Sequence, residues 1–140
     1  MSILVKKVLE KSELEQVWAI RHEVFVIGQN CPEELEWEYE EESVHFMATL
    51  HGEPCGTARW RKTDKGYKLE RFAVLEKCRG NGVASALIQA VIADLPEDAT
   101  YVYLHAQLEA AGLYEKHRFK REGEHFWEAG IEHVKMRLDA

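Results

Sequence analysis

"LERFAVLEKCRGNGVASALIQAVI", Leu69 to Ile92, joins an apolar strand-like run to a long apolar run through a short basic turn that carries two glycines. Glycines that follow a strand and open a helix remove side chains where a ligand must approach the backbone. The first helical turn then offers unpaired N–H groups carrying roughly half a positive charge. In the turn Arg79, Gly80, Asn81, Gly82, the glycines can aim successive amides at one phosphate and Arg79 adds a fixed positive charge. Val83, Ala84 and Ser85 then begin a thin first turn. The stretch therefore predicts an anion cradle suited to a diphosphate, against the plainer reading of a tight strand-to-helix connection.

Two common nucleotide motifs do not fit. A Walker loop needs Lys and then Ser or Thr after its last glycine, where this chain has Val83 and Ala84. A dinucleotide fingerprint needs an acidic residue about 20 residues on to hold a ribose, whereas the strand that follows reads "YVYLHAQ", Tyr101 to Gln107.

The rest of the chain bounds the answer. Its 140 residues, 46% apolar and 31% charged, predict one domain spanning 1–140 with a core of its own. A net charge of −7 argues against nucleic acid as a partner, since binding phosphate backbones calls for a basic face. The acidity is local: seven carboxylates lie between Glu33 and Glu42, which reads as a solvated face or as a patch that attracts a cationic amine. No apolar run approaches a membrane span, and "MSILVKKV" lacks the order of a signal peptide, so no membrane and a cytoplasmic location are expected. Cys31, Cys55 and Cys78 are far apart and read as free thiols. The histidines show no metal-binding spacing, and no metal is expected.

Periodicity supplies the outline. Ile3 to Val8 reads as a strand. Ser12 and Glu15 read as a capping box that starts a helix running to about Ile27, with Leu14, Val17, Trp18, Val24 and Phe25 as its apolar stripe. Arg21 falls on that stripe and needs an anionic partner, either a structural carboxylate or a bound substrate anion. Strands from Val44, Gly56 and Tyr67 follow as an antiparallel meander, then a helix over Val83 to Leu95, the strand at Tyr101, a helix from Leu108 to His117, and a hairpin around Ala129 and Gly130. The order predicts an α/β protein with a mixed sheet and helices on its faces.

The pattern Arg79-x-x-Gly82-x-Ala84 resembles the acetyl-CoA pyrophosphate loop of the GNAT superfamily of N-acetyltransferases. The likeness extends over nearly the whole chain through "RHEVFVIGQ", "LERFAV", "YVYLHAQ", "AAGLYEKHRF" and "FWEAGIEHVKM". The first and last of these are similar to the ElaA-like branch of small bacterial members. The segment ending in Arg118 and Phe119 departs from the family, which usually has Gly-Phe there.

The resemblance implies a GNAT-type, mostly antiparallel mixed sheet, with helices on both faces and a splay between the fourth and fifth strands. It implies acetyl-CoA as co-substrate, a small-molecule primary amine as acceptor, and direct transfer between them. An amino sugar phosphate, a polyamine or an amino acid would serve as acceptor, and a homodimer stays open. The alternative is a non-catalytic acyl-CoA-binding or regulatory domain. Phe72, Ala73 and Val74 would present backbone groups to the cofactor, with the Val74 N–H as oxyanion donor, alongside Arg79, Gly80, Asn81, Gly82, Val83, Ala84 and Ser85. Tyr114 matches the family's general acid. Glu70, grouped by strand alternation with Phe72 and Val74, and His105 are the candidates for the base. Glu128 and His133, with Arg21, are candidates for holding substrate. Cys78 is read as a thiol outside the chemistry.

Overall fold

A computed structural model describes residues 2–29 and 40–139. Cys31 and the acidic positions Glu33 to Glu38 lie outside the described residues. Strand β1 (Ile3–Lys7) leads into helix α1 (Lys11–Arg21), which continues as a π-helical arm (His22–Ile27). Strands β2 (Val44–Leu50), β3 (Glu53–Lys62) and β4 (Tyr67–Val74) form the expected meander. Helix α2 (Val83–Asp94), strand β5 (Val102–Gln107) and the short helix α3 (Ala111–Glu115) follow, and β6 (Phe119–Arg121), β7 (Phe126–Glu128) and β8 (Ile131–Leu138) close the chain.

The sheet runs β1-β2-β3-β4-β5-β8-β6, with β7 paired to β8. Every pair is antiparallel except β4 with β5, which run parallel and pair only from Tyr67–Val102 to Leu69–Leu104. Beyond Leu69 the two strands part, and the sheet divides into a β1–β4 half and a β5–β8–β6 half. Helix α1 packs on β2, β3 and β4, α2 packs on β1 to β4, and α3 packs on β5 and β6. The two faces of β3 show that the first two helices lie on opposite sides. Gly56 faces Val83 and Leu87 of α2, while Arg59, three residues on, bonds Glu40 together with Arg21 of α1. Leu69, Leu87, Ile88, Val91, Leu104 and Met136 are fully buried in the core between these layers. No helix among the described residues is long and apolar enough to cross a membrane.

Three local features depart from the periodic reading. The helix start is capped by Glu13, whose carboxylate accepts from the Leu9 and Glu10 N–H groups, rather than by Ser12 and Glu15. The arm beyond Arg21 widens to a π-helix, which a 3.6-residue period does not anticipate. Arg71, with φ 59°, forms a bulge in β4, so that Arg59 and Thr57 of β3 pair with Glu70 and Ala73. The bulge therefore overturns the grouping of Glu70 with Phe72 and Val74. Glu70 shares the α1 side of the sheet with Ala73, whereas Phe72 turns its ring to Tyr114 of α3.

Candidate active site

The loop after β4 has the backbone that its glycines foretell. Gly80 and Gly82 take φ of 83° and 85°, and an added Cβ at either would meet nothing within 4 Å. Those angles favour glycine strongly, and the space in front of both residues is open. Gly82 is the N-cap of α2, so the free amides of the first helical turn point into that space. Asn81 uses its side chain on the loop itself, donating to the Cys78 and Arg79 carbonyls at 2.9 and 3.4 Å. Arg79 donates from Nε to the Val74 carbonyl at 3.1 Å, which moors the exposed guanidinium at the end of β4. Val74, Arg79, Gly82 to Ser85, Glu109, Ala110 and Leu113 line a groove of about 470 Å³. Open backbone amides beside a fixed positive charge give this cradle the chemistry of an anion site.

Val74 connects the loop to the split in the sheet. The Leu75 N–H donates to the Cys55 carbonyl of β3 at 2.9 Å. Alternation along a strand then turns the N–H and C=O of Val74 the other way, toward the gap beside β5. The gap opens into a second cavity of about 360 Å³, which shares Val74, Arg79 and Ala110 with the groove. Its walls are Phe25 and Gln29 of the first helical arm, Arg59 and Arg61 of β3, Lys68 to Val74 of β4, His105 and Gln107 of β5, Tyr114, and the terminal hairpin through Glu128, Ala129, Ile131 and His133. Gln29 and Gln107 exchange amide hydrogen bonds at 3.2 and 3.4 Å across this cavity.

Tyr114 lines the cavity, four residues along the chain from Ala110, which the cavity shares with the groove. It is 8% exposed and packs edge-on against Phe72 and Phe119. Burial pushes the phenol well above its ordinary range, so it holds its proton at any physiological pH.

Glu70 is held quite differently. Its carboxylate accepts from Arg61 Nε and lies 3.5 Å from Arg59 and 3.9 Å from Lys68. Burial pushes its pKa up, but Arg59, Lys68 and Arg61 outweigh that, and the carboxyl titrates below its ordinary value. Glu70 lies in the cavity wall, but a carboxylate stabilised by three cations is a weak proton acceptor. His105 has the better geometry. Its Nδ1 lies 3.2 Å from Glu128 Oε2, and with Nδ1–H donating to the carboxylate the neutral ring keeps its Nε2 lone pair. The hydrogen bond from His105 lowers the Glu128 pKa; burial opposes this, and Lys68 assists. His133 donates from Nδ1 to the Ile131 carbonyl at 2.7 Å, and its Nε2 is 3.9 Å from Glu128 Oε1.

Arg21 lies elsewhere. It is 1% exposed and donates to Glu40 Oε1 at 2.7 Å, and it is absent from the walls of the cavity. Of the two partners its position called for, the structure supplies the carboxylate, that of Glu40. Glu40 also accepts from Trp18 Nε1 and from Arg59 Nη1, so this member of the acidic run is an anchor rather than part of a solvated face. Cys78 is buried beneath the loop, and burial with Cys78 nearby pushes the Cys55 thiol up to about 11; both thiols are free.

The acetyltransferase (GNAT) domain family matches residues 8–140. The chain belongs to the GNAT family. It is 38% identical over 140 residues to the uncharacterized N-acetyltransferase YjcF of Bacillus subtilis, covering 96% of this chain and all of that one. Its fold is similar to that of an acyl-CoA N-acyltransferase from Pseudomonas aeruginosa, with a TM-score of 0.83, 26% identity and 99% of each chain covered. It is also similar to Escherichia coli ElaA, with a TM-score of 0.81, 25% identity, and 99% and 100% of the two chains covered. This GNAT protein is accordingly an acyltransferase, and its mixed sheet with one parallel, splayed pair is the GNAT fold.

Several residues of this GNAT site escaped the sequence reading. Arg59 and Arg61 were legible, because alternation in "ARWRK" puts both on one face of β3, opposite Trp60. Gln29 and His117 carry no local signal, since their partners Gln107 and Ser85 are 78 and 32 residues away.

Proposed function

We propose that the protein transfers an acetyl group from acetyl-CoA directly to a primary amine of a small molecule. The observation that carries this reading is the continuity of the open glycine cradle with the split in the sheet, through Val74, into a cavity that holds Tyr114 and the His105–Glu128 pair. Gly80, Gly82 and the first turn of α2 would hold the diphosphate, with Arg79 adding charge at the mouth. Bound acetyl-CoA supplies an activated carbonyl as its thioester. The Val74 N–H faces the gap and would donate to the carbonyl oxygen as negative charge develops there. Tyr114, kept protonated by burial, holds a proton where the departing sulfur needs one. His105 Nε2 takes the proton from the incoming amine, directly or through one water, while Glu128 orients the ring.

The test is acetyl-CoA turnover across a panel of small amines, read as release of free CoA and mass of the product. Acetylated amine is the expected result. Calorimetric binding of CoA with no product from any primary amine rejects this reading and leaves an acyl-CoA-binding role.

A further inference from the structure

Resting on that reading, we propose that Ser85 and His117 form a brace across the split sheet, and that this brace sets the position of Tyr114 relative to the Val74 amide and the cofactor groove. Ser85 lies in the first turn of α2, three residues after the N-cap Gly82. His117 lies just past α3, and its ring Nε2 is 3.0 Å from the Ser85 hydroxyl oxygen. The His117 N–H donates to the Tyr114 carbonyl at 2.9 Å, so the ring that reaches Ser85 sits on the same turn as the phenol.

The position of this contact gives it its importance. Helix α2 is carried by the β1–β4 half of the sheet and α3 by the β5 and β6 half. The halves share strand hydrogen bonds only from Tyr67 to Leu69. At the level of Val74 no ladder fixes their separation, and the groove for the cofactor runs between them. A polar tie from the helix that cradles the diphosphate to the turn that carries the acid therefore determines how wide the groove stands there. Ser85 lines the groove, and its hydroxyl is at the same time within hydrogen-bond distance of a protein partner, His117. His117 has no counterpart in the sequence reading. It touches none of the reacting groups and acts as a positioning residue.

The experiment is a double-mutant cycle with Ser85→Ala and His117→Leu, and with His117→Gln as a rescue whose amide can reach the hydroxyl. Each protein is assayed for CoA affinity by calorimetry, for single-turnover acetyl transfer from acetyl-CoA to the amine selected by the panel, and for thermal stability. Either single change is expected to slow transfer between about fivefold, the worth of one hydrogen bond, and about a hundredfold, the cost of an ångström of misplacement. The double variant should be no slower than the worse single one, and His117→Gln should stay within about twofold of the unaltered protein. Additive losses, or lower melting temperatures with unchanged transfer and CoA affinity, overturn the brace while leaving the acetyltransferase reading intact. An unaltered protein that neither binds CoA nor transfers acetyl overturns both.

Discussion

Tyr114 meets Phe72 edge to face, with ring centroids 5.6 Å apart and planes at 68°. The contact crosses the split in the sheet and ties the proposed acid to the strand whose backbone faces the cofactor gap. Because the ring is an anchor as well as an acid carrier, its two roles can be separated by substitution. Tyr114→Phe keeps the ring and removes the proton, so kcat should fall by roughly 10²- to 10⁴-fold with CoA affinity and melting temperature nearly unchanged. Tyr114→Ala should also lower the melting temperature. Single-turnover rates are the measurement, since slow product release would mask the chemical step. A Phe variant that transfers acetyl at the original rate makes Tyr114 a packing residue only.

The two candidate bases predict opposite outcomes. His105→Gln should lower kcat by about 10²-fold or more and leave the melting temperature close to its original value. Glu70→Gln should do the reverse, because it removes the carboxylate that Arg59, Arg61 and Lys68 surround; a loss of about 3 kcal/mol is the scale for breaking a buried pair. Paired kinetics and denaturation on both variants decide the matter. A well-folded Glu70→Gln protein with negligible activity would make Glu70 the base.

The buried His45 gives the fold a pH dependence of known sign. Its Nε2 donates to the Glu40 carbonyl at 3.1 Å, and its Nδ1 has no hydrogen-bond partner among the described residues. Burial pushes its pKa below the ordinary value of about 6.5, against the pull of Glu40. A histidine depressed in the folded state binds its proton more readily when unfolded, so its stabilising contribution is complete above about pH 6.5 and is lost as the pH falls through the folded value. The melting temperature should therefore begin to drop just below that pH. His45→Gln, which keeps a donor for Glu40 and cannot titrate, should flatten this part of the curve. An equal slope in the variant would assign the titration to another group.

How much of this was legible follows from the range of each interaction. The cradle could be read because every part of it lies within Arg79 to Ser85, where residue type alone dictates backbone freedom and charge. The splay between β4 and β5 came from the resemblance, since nothing in either strand announces where pairing stops. Glu70 was misplaced because a bulge shifts strand parity without a glycine to mark it; Arg71 adopts φ 59° with its guanidinium over the Phe25 ring, 4.9 Å from the centroid. Arg21 was rightly read as needing an anion, but the choice between Glu40 and a substrate depends on a contact 19 residues away.

The departure from the family's glycine at Arg118 has an energetic consequence. Arg118 occupies φ 74°, in the left-handed region, and turns the chain from α3 into β6 while its carbonyl accepts from the Asp139 N–H. A side chain there costs about 1–2 kcal/mol, of which glycine's greater freedom in the unfolded chain returns only part. Arg118→Gly should thus stabilise the protein by up to about 1 kcal/mol in urea unfolding. A less stable variant would show that the arginine side chain contributes more than its backbone strain removes.

Gly82 allows strain and ligand contact to be told apart, because a matched control exists in the same chain. Gly82 and Gly123 share φ of 85°, and a Cβ on either meets nothing within 4 Å. Alanine at each position should therefore destabilise the fold similarly, by about 1–2 kcal/mol of left-handed strain. Only Gly82 faces the groove, whereas Gly123 lies in the turn between β6 and β7 and lines neither cavity. Gly82→Ala places a methyl group where the diphosphate would approach the amides, and CoA affinity should fall tenfold or more, equivalent to about 1.4 kcal/mol or more. Gly123→Ala should bind CoA as the unaltered protein does. Arg79→Ala should likewise weaken CoA, and by more at low salt than at high, since screening already diminishes an exposed charge. Calorimetry with CoA at two salt concentrations reads all three variants. Equal affinity in Gly82→Ala and Gly123→Ala would mean that the open space before Gly82 is not where the phosphates sit, and the assignment of the cradle would fail.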